Sequence, residues 1–382
     1  MKYYILTLLL FLNLSLFVGC DRPAAIKPSG NTIKIGVIGP FSGPARAMGE
    51  DGLKGIRTVM HMQPYLGNGD RVEVVIEDDK NEPDLSVSGL KKLATEEKVS
   101  AILLLSSSAS GLAVNAIADS YQVPVFVLLA THPDIAKDKT FVSQLSFDNT
   151  FQGRVAALFV RDELLIDRVA VFQNPESFHS TSLAGEFIHK FETIGGIITA
   201  NFQVTADSDD FKGILERLRE KKTQLLYLPV TAKDFVHIST ALEDTDWAPE
   251  RMGGDGLYSN VLRQHPEGAG LLNGIYDIDL YTADVEGTSF GEQAAKAYRK
   301  LYEKTSSSFT AIGAEGYAIL QNAMNRCTHP ADRQCINTML HNTDRFEGLL
   351  GRVSIHADGK AERPLIVNKV SNGREQFIVK VY

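Results

Sequence analysis

From Ile33 onward the chain alternates short β-branched runs with longer stretches of helical period, and that alternation restricts it to parallel strands joined by crossover helices. The runs Ile33 to Ile38, Val72 to Ile76, Ala101 to Leu105 and Val123 to Leu128 read as strands. Between the first two, Leu53, Ile56, Val59 and Met60 recur at helical spacing, and between the next two Val87, Leu90, Leu93 and Ala94 do the same. This predicts one doubly wound lobe. A second series begins after Phe147-Asp148-Asn149, with strands at Val169 to Phe172, Ile197 to Val204, Leu225 to Leu228 and Gly274 to Asp279. Its helices include Leu183 to Phe191 and Phe211 to Glu220, so it repeats the architecture of the first. After Tyr281 the pattern is helical through Phe290 to Tyr302 and Thr310 to Arg326. The end reads as antiparallel hairpins, because Asp358-Gly359 and Asn372-Gly373 separate Arg352 to His356, Pro364 to Val370 and Gln376 to Val381.

Of the 382 residues, about 350 follow the first strand's start, too many for one core of usual size and suited to two. What precedes is a Lys2-containing start, a largely apolar run from Ile5 to Val18, and Gly19-Cys20. A run this short behind a positive charge, ending on a small residue, reads as a secretory signal peptide rather than a membrane span. Phe17-Val18-Gly19-Cys20 resembles a bacterial lipobox with Phe in place of the usual Leu, which implies lipidation at Cys20; in that class Asp21 implies retention at the inner membrane. An ordinary secretory cut nearby is the alternative. Residues 21–32, with Pro23, Pro28, Ser29 and Gly30, suit a flexible tether.

A formal charge of −8 without a clustered basic face argues against nucleic acid as a partner and leaves membrane contact to the anchor. With Cys20 committed to lipid, Cys327 and Cys335 remain, close together in an exported chain, where a disulfide is favoured over free thiols. A metal site is not expected, since only His329 lies between them and the spacing is not of zinc type.

The strand Ile35-Gly36-Val37-Ile38 running into Gly39-Pro40-Phe41-Ser42-Gly43-Pro44 resembles the opening of the leucine/isoleucine/valine-binding protein family. Glu77-Asp78-Asp79, Ser106 to Ser110, Val123-Pro124-Val125-Phe126 with Ala130-Thr131, Met252-Gly253-Gly254-Asp255-Gly256 and Phe346-Glu347-Gly348 continue the correspondence in order. The resemblance implies a type I periplasmic binding protein fold, two Rossmann-like α/β lobes joined by a three-segment hinge, with crossings near Phe147, Leu280 and Gly348. The expected lobes are 33–147 plus 281–348 and 148–280 plus 349–382. It further implies a monomer that captures a small molecule, an amino acid or relative, by hinge closure and delivers it to the membrane permease of an ABC importer, with no cofactor and no catalysis.

Ligands of open parallel sheets sit beyond the carboxyl ends of the strands, here in the cleft. An α-amino acid needs donors for its carboxylate and an anionic acceptor for its ammonium. The resemblance places the carboxylate on Ser108, Thr131 and the backbone of Leu129 and Ala130, with helix capping as the alternative for the serines. Asp255 is the expected ammonium acceptor, or a turn residue between glycines. Phe178 stands where relatives pack an aromatic on the ligand; Thr231 and Met48 stand where an aromatic is frequent, and Met48 also suits core packing.

An enzyme is the first rival reading. No Rossmann, Walker or nucleophile-elbow spacing occurs, and His61, His132, His179, His189 and His237 are scattered in ways that suggest surface or capping roles. A ligand-sensing or envelope-partner lipoprotein on the same fold is the second rival, and a receptor for a small carboxylate, amide or urea-like compound the third.

Overall fold

The computed structural model describes residues 26–205, 208 and 210–382; Cys20 and the signal segment fall outside them. The first sheet has five parallel strands in the order β2-β1-β3-β4-β5: β1 Thr32–Gly39, β2 Arg71–Asp78, β3 Ile102–Leu104, β4 Val125–Val127 and β5 Val142–Gln144. Helices α1 Arg46–Met62, α2 Pro83–Thr95 and α3 Ser108–Tyr121 connect them. The β-branched runs form strands because both faces are covered. Ile35 and Val37 face one core with Ile56 and Ile312, while Ile38 faces another with Leu90, Leu93 and Val114. The three-residue β5 was not foreseen, being too short to display a period.

The chain then passes into α4 Asn149–Leu158, prolonged by a wider turn at Phe159–Glu163, and builds the second sheet. Its elements are β6 Arg168–Gln173, α5 Phe178–Thr193, β7 Ile197–Gln203, α6 Phe211–Glu220, β8 Leu225–Leu228, α7 Ala232–Glu243, β9 Glu250–Gly253, α8 Leu257–Gln264 and β10 Tyr276–Asp279. Here Leu225 and Tyr227 face one core, Leu226 and Leu228 the other, the two-residue period of a sandwiched strand.

Helices α9 Ser289–Tyr302, α10 Ser308–Asn325 and α11 Arg333–His341 return to the first sheet. The α1–α10 crossing is close enough to exclude side chains. A Cβ at Gly55 would lie 2.0 Å from the Thr310 carbonyl oxygen, and one at Gly313 would lie 2.1 Å from that of Gly52. Cys327 and Cys335 are joined in a disulfide that ties the end of α10 to α11.

Strands β11 Thr343–Glu347, β12 Arg352–Ile355 and β13 Ala361–Glu362 make a small antiparallel sheet, and β14 Leu365–Ser371 and β15 Arg374–Val381 complete the second sheet. That sheet runs β15-β14-β10-β9-β8-β6-β7, with β14 antiparallel to both β10 and β15. Asn372 and Gly373 have φ of 52° and 72°, the left-handed pair that a two-residue hairpin requires.

The third crossing falls later than Gly348. Strand β12 pairs with β11 and β13 with β12, and the loop between β12 and β13 bonds to β5, with Gln144 N–H donating to the Gly359 carbonyl (2.8 Å). The chain reaches the second sheet only at Leu365, so residues 349–362 pack with the first lobe. Beside this crossing, buried Arg363 donates to Glu315 (2.6 Å), whose other oxygen accepts from Leu349 N–H (2.7 Å).

Candidate functional site

Both sheets reverse their strand order at one point, between β1 and β3 in the first and between β6 and β8 in the second. The carboxyl ends flanking those points face each other across a cavity of about 320 Å³. From the first lobe it is lined by Pro44, Ala45, Met48, Asn81, Ser106 to Ser108 and Leu129 to Thr131. From the second come Ser177, His179, Ser180, Val230 to Ala232, Asp255 to Leu257, Asn260, Gln264, Asp279 and Leu280, and from the start of α10 Ser308 and Phe309.

The first wall is built from neutral donors. Ser106 is committed to the Asp79 carboxylate, and the Ser107 N–H donates to Asn81 Oδ1 (2.9 Å). Ser107 occupies the cap position of α3 but makes no side-chain cap bond. The first N–H groups of α3 are therefore left for a ligand, beside the Ser108 hydroxyl, and the positive end of the helix points the same way. Thr131, buried at the end of the next crossover, places its Oγ1 3.0 Å from Nδ1 of His179 in the opposite lobe.

The second wall carries charge. Asp255 precedes α8 in a turn completed by Gly256 at φ 74°. Its Oδ1 accepts from Gln152 Nε2 (2.6 Å), while its own N–H donates to Gln152 Oε1 (3.0 Å), so one glutamine fixes both backbone and carboxylate. His179 Nε2 lies 3.7 Å from the same carboxylate oxygen. The imidazole thus spans from the hydroxyl wall to the acidic one.

Behind Asp255, Asp277 and Asp279 share one face of β10 and meet Glu375 of β15, with carboxylate oxygens of all three within 4.8 Å of one another. Among the described residues, these form the one grouping of acids, histidines or cysteines close enough to hold an ion jointly. Burial pushes Asp279 up to about 7 and Glu375 up to about 8, and raises Asp277 well above the usual carboxylate range. Neither Asp277 oxygen has a hydrogen-bond partner among the described residues.

The structure brings Ser108, Leu129, Ala130, Thr131, Thr231, Asp255 and Met48 to one cavity. Thr231 uses its hydroxyl to cap α7, accepting from Asp234 N–H (3.2 Å), so the cavity sees chiefly its methyl and backbone. Half-buried Met48 faces the cavity from the first turn of α1. Phe178 is a correction, because it is 54% exposed and does not line the cavity. Ser177 caps α5 by accepting from Ser180 N–H, which sets the helical phase so that His179 and Ser180 face inward while Phe178 lies edge-on to His132.

Sequence reasoning set His179 aside among scattered histidines and did not reach Gln152 or Asp279. A signal existed for Asp279: two acids at alternate positions of a strand expected to be buried. For Gln152 there was none, since its partner lies 103 residues away.

Known proteins agree with this architecture. A profile of the periplasmic binding protein family matches residues 32–375. Leu/Ile/Val-binding protein homolog 3 of Brucella melitensis is 23% identical over 87% of this chain and 89% of its own. BraC3, a Leu/Ile/Val-binding protein of Rhizobium johnstonii, is 25% identical over 59% of this chain, which spans 62% of the relative's length. The solved leucine binding protein LivK of Thermotoga maritima superposes with a TM-score of 0.83 at 26% identity, covering 91% of this chain and 98% of that one. LivJ of Streptococcus pneumoniae, solved with isoleucine, gives 0.82 at 24% identity over 92% and 100%. A Rhodopseudomonas palustris solute-binding protein solved with 3,4-dihydroxybenzoic acid gives 0.78 at 17% over 92% and 97%. Two facing doubly wound lobes, a cavity at their paired switch points and a match over nearly the whole chain place this protein in the periplasmic binding protein family, a family of solute-binding proteins.

Proposed function

We propose that this protein is the solute-binding component of an ABC importer, that it captures an α-amino acid between its lobes by hinge closure, and that it delivers it to a membrane permease. The carrying observation is the polarity of the cavity, with neutral hydroxyl and N–H donors on one wall and the Asp255 carboxylate on the other. A zwitterion satisfies both walls at once. The Leu/Ile/Val-binding relatives support the amino-acid class. A purely anionic ligand such as the benzoates of the Rhodopseudomonas proteins would face two aspartates, with no Lys or Arg among the described lining residues to offset them.

The test is a thermal-shift screen of the full-length chain, freed of carried-over ligand by denaturant exchange, against amino acids, aromatic acids, small carboxylates and amides. A ligand at a hundred times its dissociation constant adds about 2.7 kcal/mol and moves the transition measurably. Stabilisation by amino acids supports the reading. Stabilisation confined to aromatic acids sinks it, and silence across the panel favours a sensor or envelope partner. Tethering by a lipid on Cys20 at the periplasmic face of the inner membrane, as a monomer, is part of the same reading. Cys20→Ser should move the protein from the membrane to the soluble fraction, and unchanged fractionation would refute the anchor.

A further inference from the structure

We propose that the ligand carries a second positive charge, as a basic amino acid does, and that Asp279 receives it. This rests on the amino-acid reading above and names the class of side chain. A zwitterion uses the hydroxyl wall for its carboxylate and Asp255 for its α-ammonium. That leaves Asp279, which lines the same cavity at the carboxyl end of β10 and is only 2% exposed. The groups that reach it are neutral donors: Leu280 N–H (2.6 Å), Gly256 N–H (3.4 Å) and the Ser308 hydroxyl.

No cation among the described residues balances it. Among the described lining residues there is no Lys or Arg, and the one group able to carry positive charge, His179, lies against Asp255. Of the nearby cations, Arg263 pairs with Asp51, Lys369 lies against Glu250 and Tyr276, and Arg374, the neighbour of Glu375, forms no ion pair with Asp279. Behind Asp279 stand two more acids, Asp277 and Glu375, the latter accepting from Asn368 Nδ2 (3.4 Å). A leucine side chain would bury hydrocarbon against this carboxyl and use neither its charge nor its hydrogen-bonding capacity. An ammonium or guanidinium would pair with it in a site shielded from water. On α8, one turn apart, the Gln264 amide donates to Asn260 Oδ1 (3.2 Å), which leaves the Gln264 carbonyl on the same wall as an acceptor for the remaining N–H groups of such a ligand.

Isothermal titration of the full-length chain, stripped of ligand, with arginine, lysine, ornithine, leucine, isoleucine and valine tests this, with calcium chloride as a separate titrant. The expected result is that one basic amino acid binds at least about ten-fold tighter than any branched-chain one. In Asp279→Asn that ratio should fall to within about three-fold, because a neutral amide cannot discriminate by charge. The ratio in the unaltered protein decides the matter even if the variant folds poorly. Branched-chain ligands binding more tightly would overturn the inference and leave the amino-acid reading standing. Binding of calcium with no preference for basic ligands would overturn it in favour of a metal site at the three carboxylates. Failure of every amino acid to bind would remove the amino-acid reading and this inference together.

Discussion

The two walls of the cleft are made by the same device and have opposite character. Each collects the carboxyl ends of parallel strands and the starts of the helices that follow, an arrangement that favours anions through free N–H groups and helix dipoles. The first lobe keeps that bias: Ser106 to Ser108 and Leu129 to Thr131 add hydroxyls and backbone groups but no charge. The second lobe reverses it by placing Asp255 ahead of α8 and Asp279 at the end of β10. Topology therefore supplies the location of a site and a default polarity, and a few side chains decide whether the default survives.

Removing the charge from the acidic wall should have the largest effect. Asp255→Ala is expected to weaken binding of an α-amino acid by about 2 to 5 kcal/mol in calorimetric titration, as for one partner of a desolvated charge pair. Unchanged affinity would show that the two walls do not divide the ligand as described. Ser108→Ala on the neutral wall should cost less, about 1 to 3 kcal/mol, because it removes one hydrogen bond to a carboxylate and not a charge. An equal loss from both substitutions would erase the contrast.

The acidic wall should also register in the stability of the ligand-free protein. Asp279 and Glu375 titrate near 7 and 8 in the fold and near 4 when unfolded, so the folded state holds more protons between those limits. Stability should then fall as pH rises from about 4 to about 8. Asp277→Asn should flatten that slope by removing a buried carboxyl that burial holds well above the usual range, read as melting temperature against pH, and a slope unaltered by the substitution would show that Asp277 contributes nothing to it. His179→Gln should give the smallest change, on the order of 1 kcal/mol in ligand affinity, since it replaces one contact to Thr131 and one to Asp255. A loss as large as that of Asp255→Ala would make the imidazole itself a ligand anchor.

How much was legible depended on the range of the cause. The strand at Ile33 to Ile38 and the helix of Leu53, Ile56 and Val59 were readable because burial on a sheet face or helix stripe imprints a period on neighbouring residues. The hairpin at Asn372-Gly373 was readable because left-handed backbone selects residue types locally. That Ser108, Thr131 and Asp255 would share one cavity was legible through a resemblance whose motifs lie in order along the chain. The helix-capping alternative for Ser106 to Ser110 is not realised at Ser107, whose side chain leaves α3 uncapped. Phe178 went astray because one cap at Ser177 sets the rotation of a whole helix, and a phase error of one residue moves a ring from the cavity to solvent.

By itself the sequence determined the two α/β series, the long helices after Tyr281, the terminal hairpin and the residue types available at each strand end, because these follow from periods and turn preferences within about twenty residues. Tertiary structure alone decided that Gln152 grips Asp255, that His179 reaches Thr131 across the cleft, that residues 349–362 pack with the first lobe, and that Asp277, Asp279 and Glu375 crowd together. Each of those contacts joins segments whose separation along the chain carries no pattern, and only the packing of two sheets face to face brings them within a few ångströms.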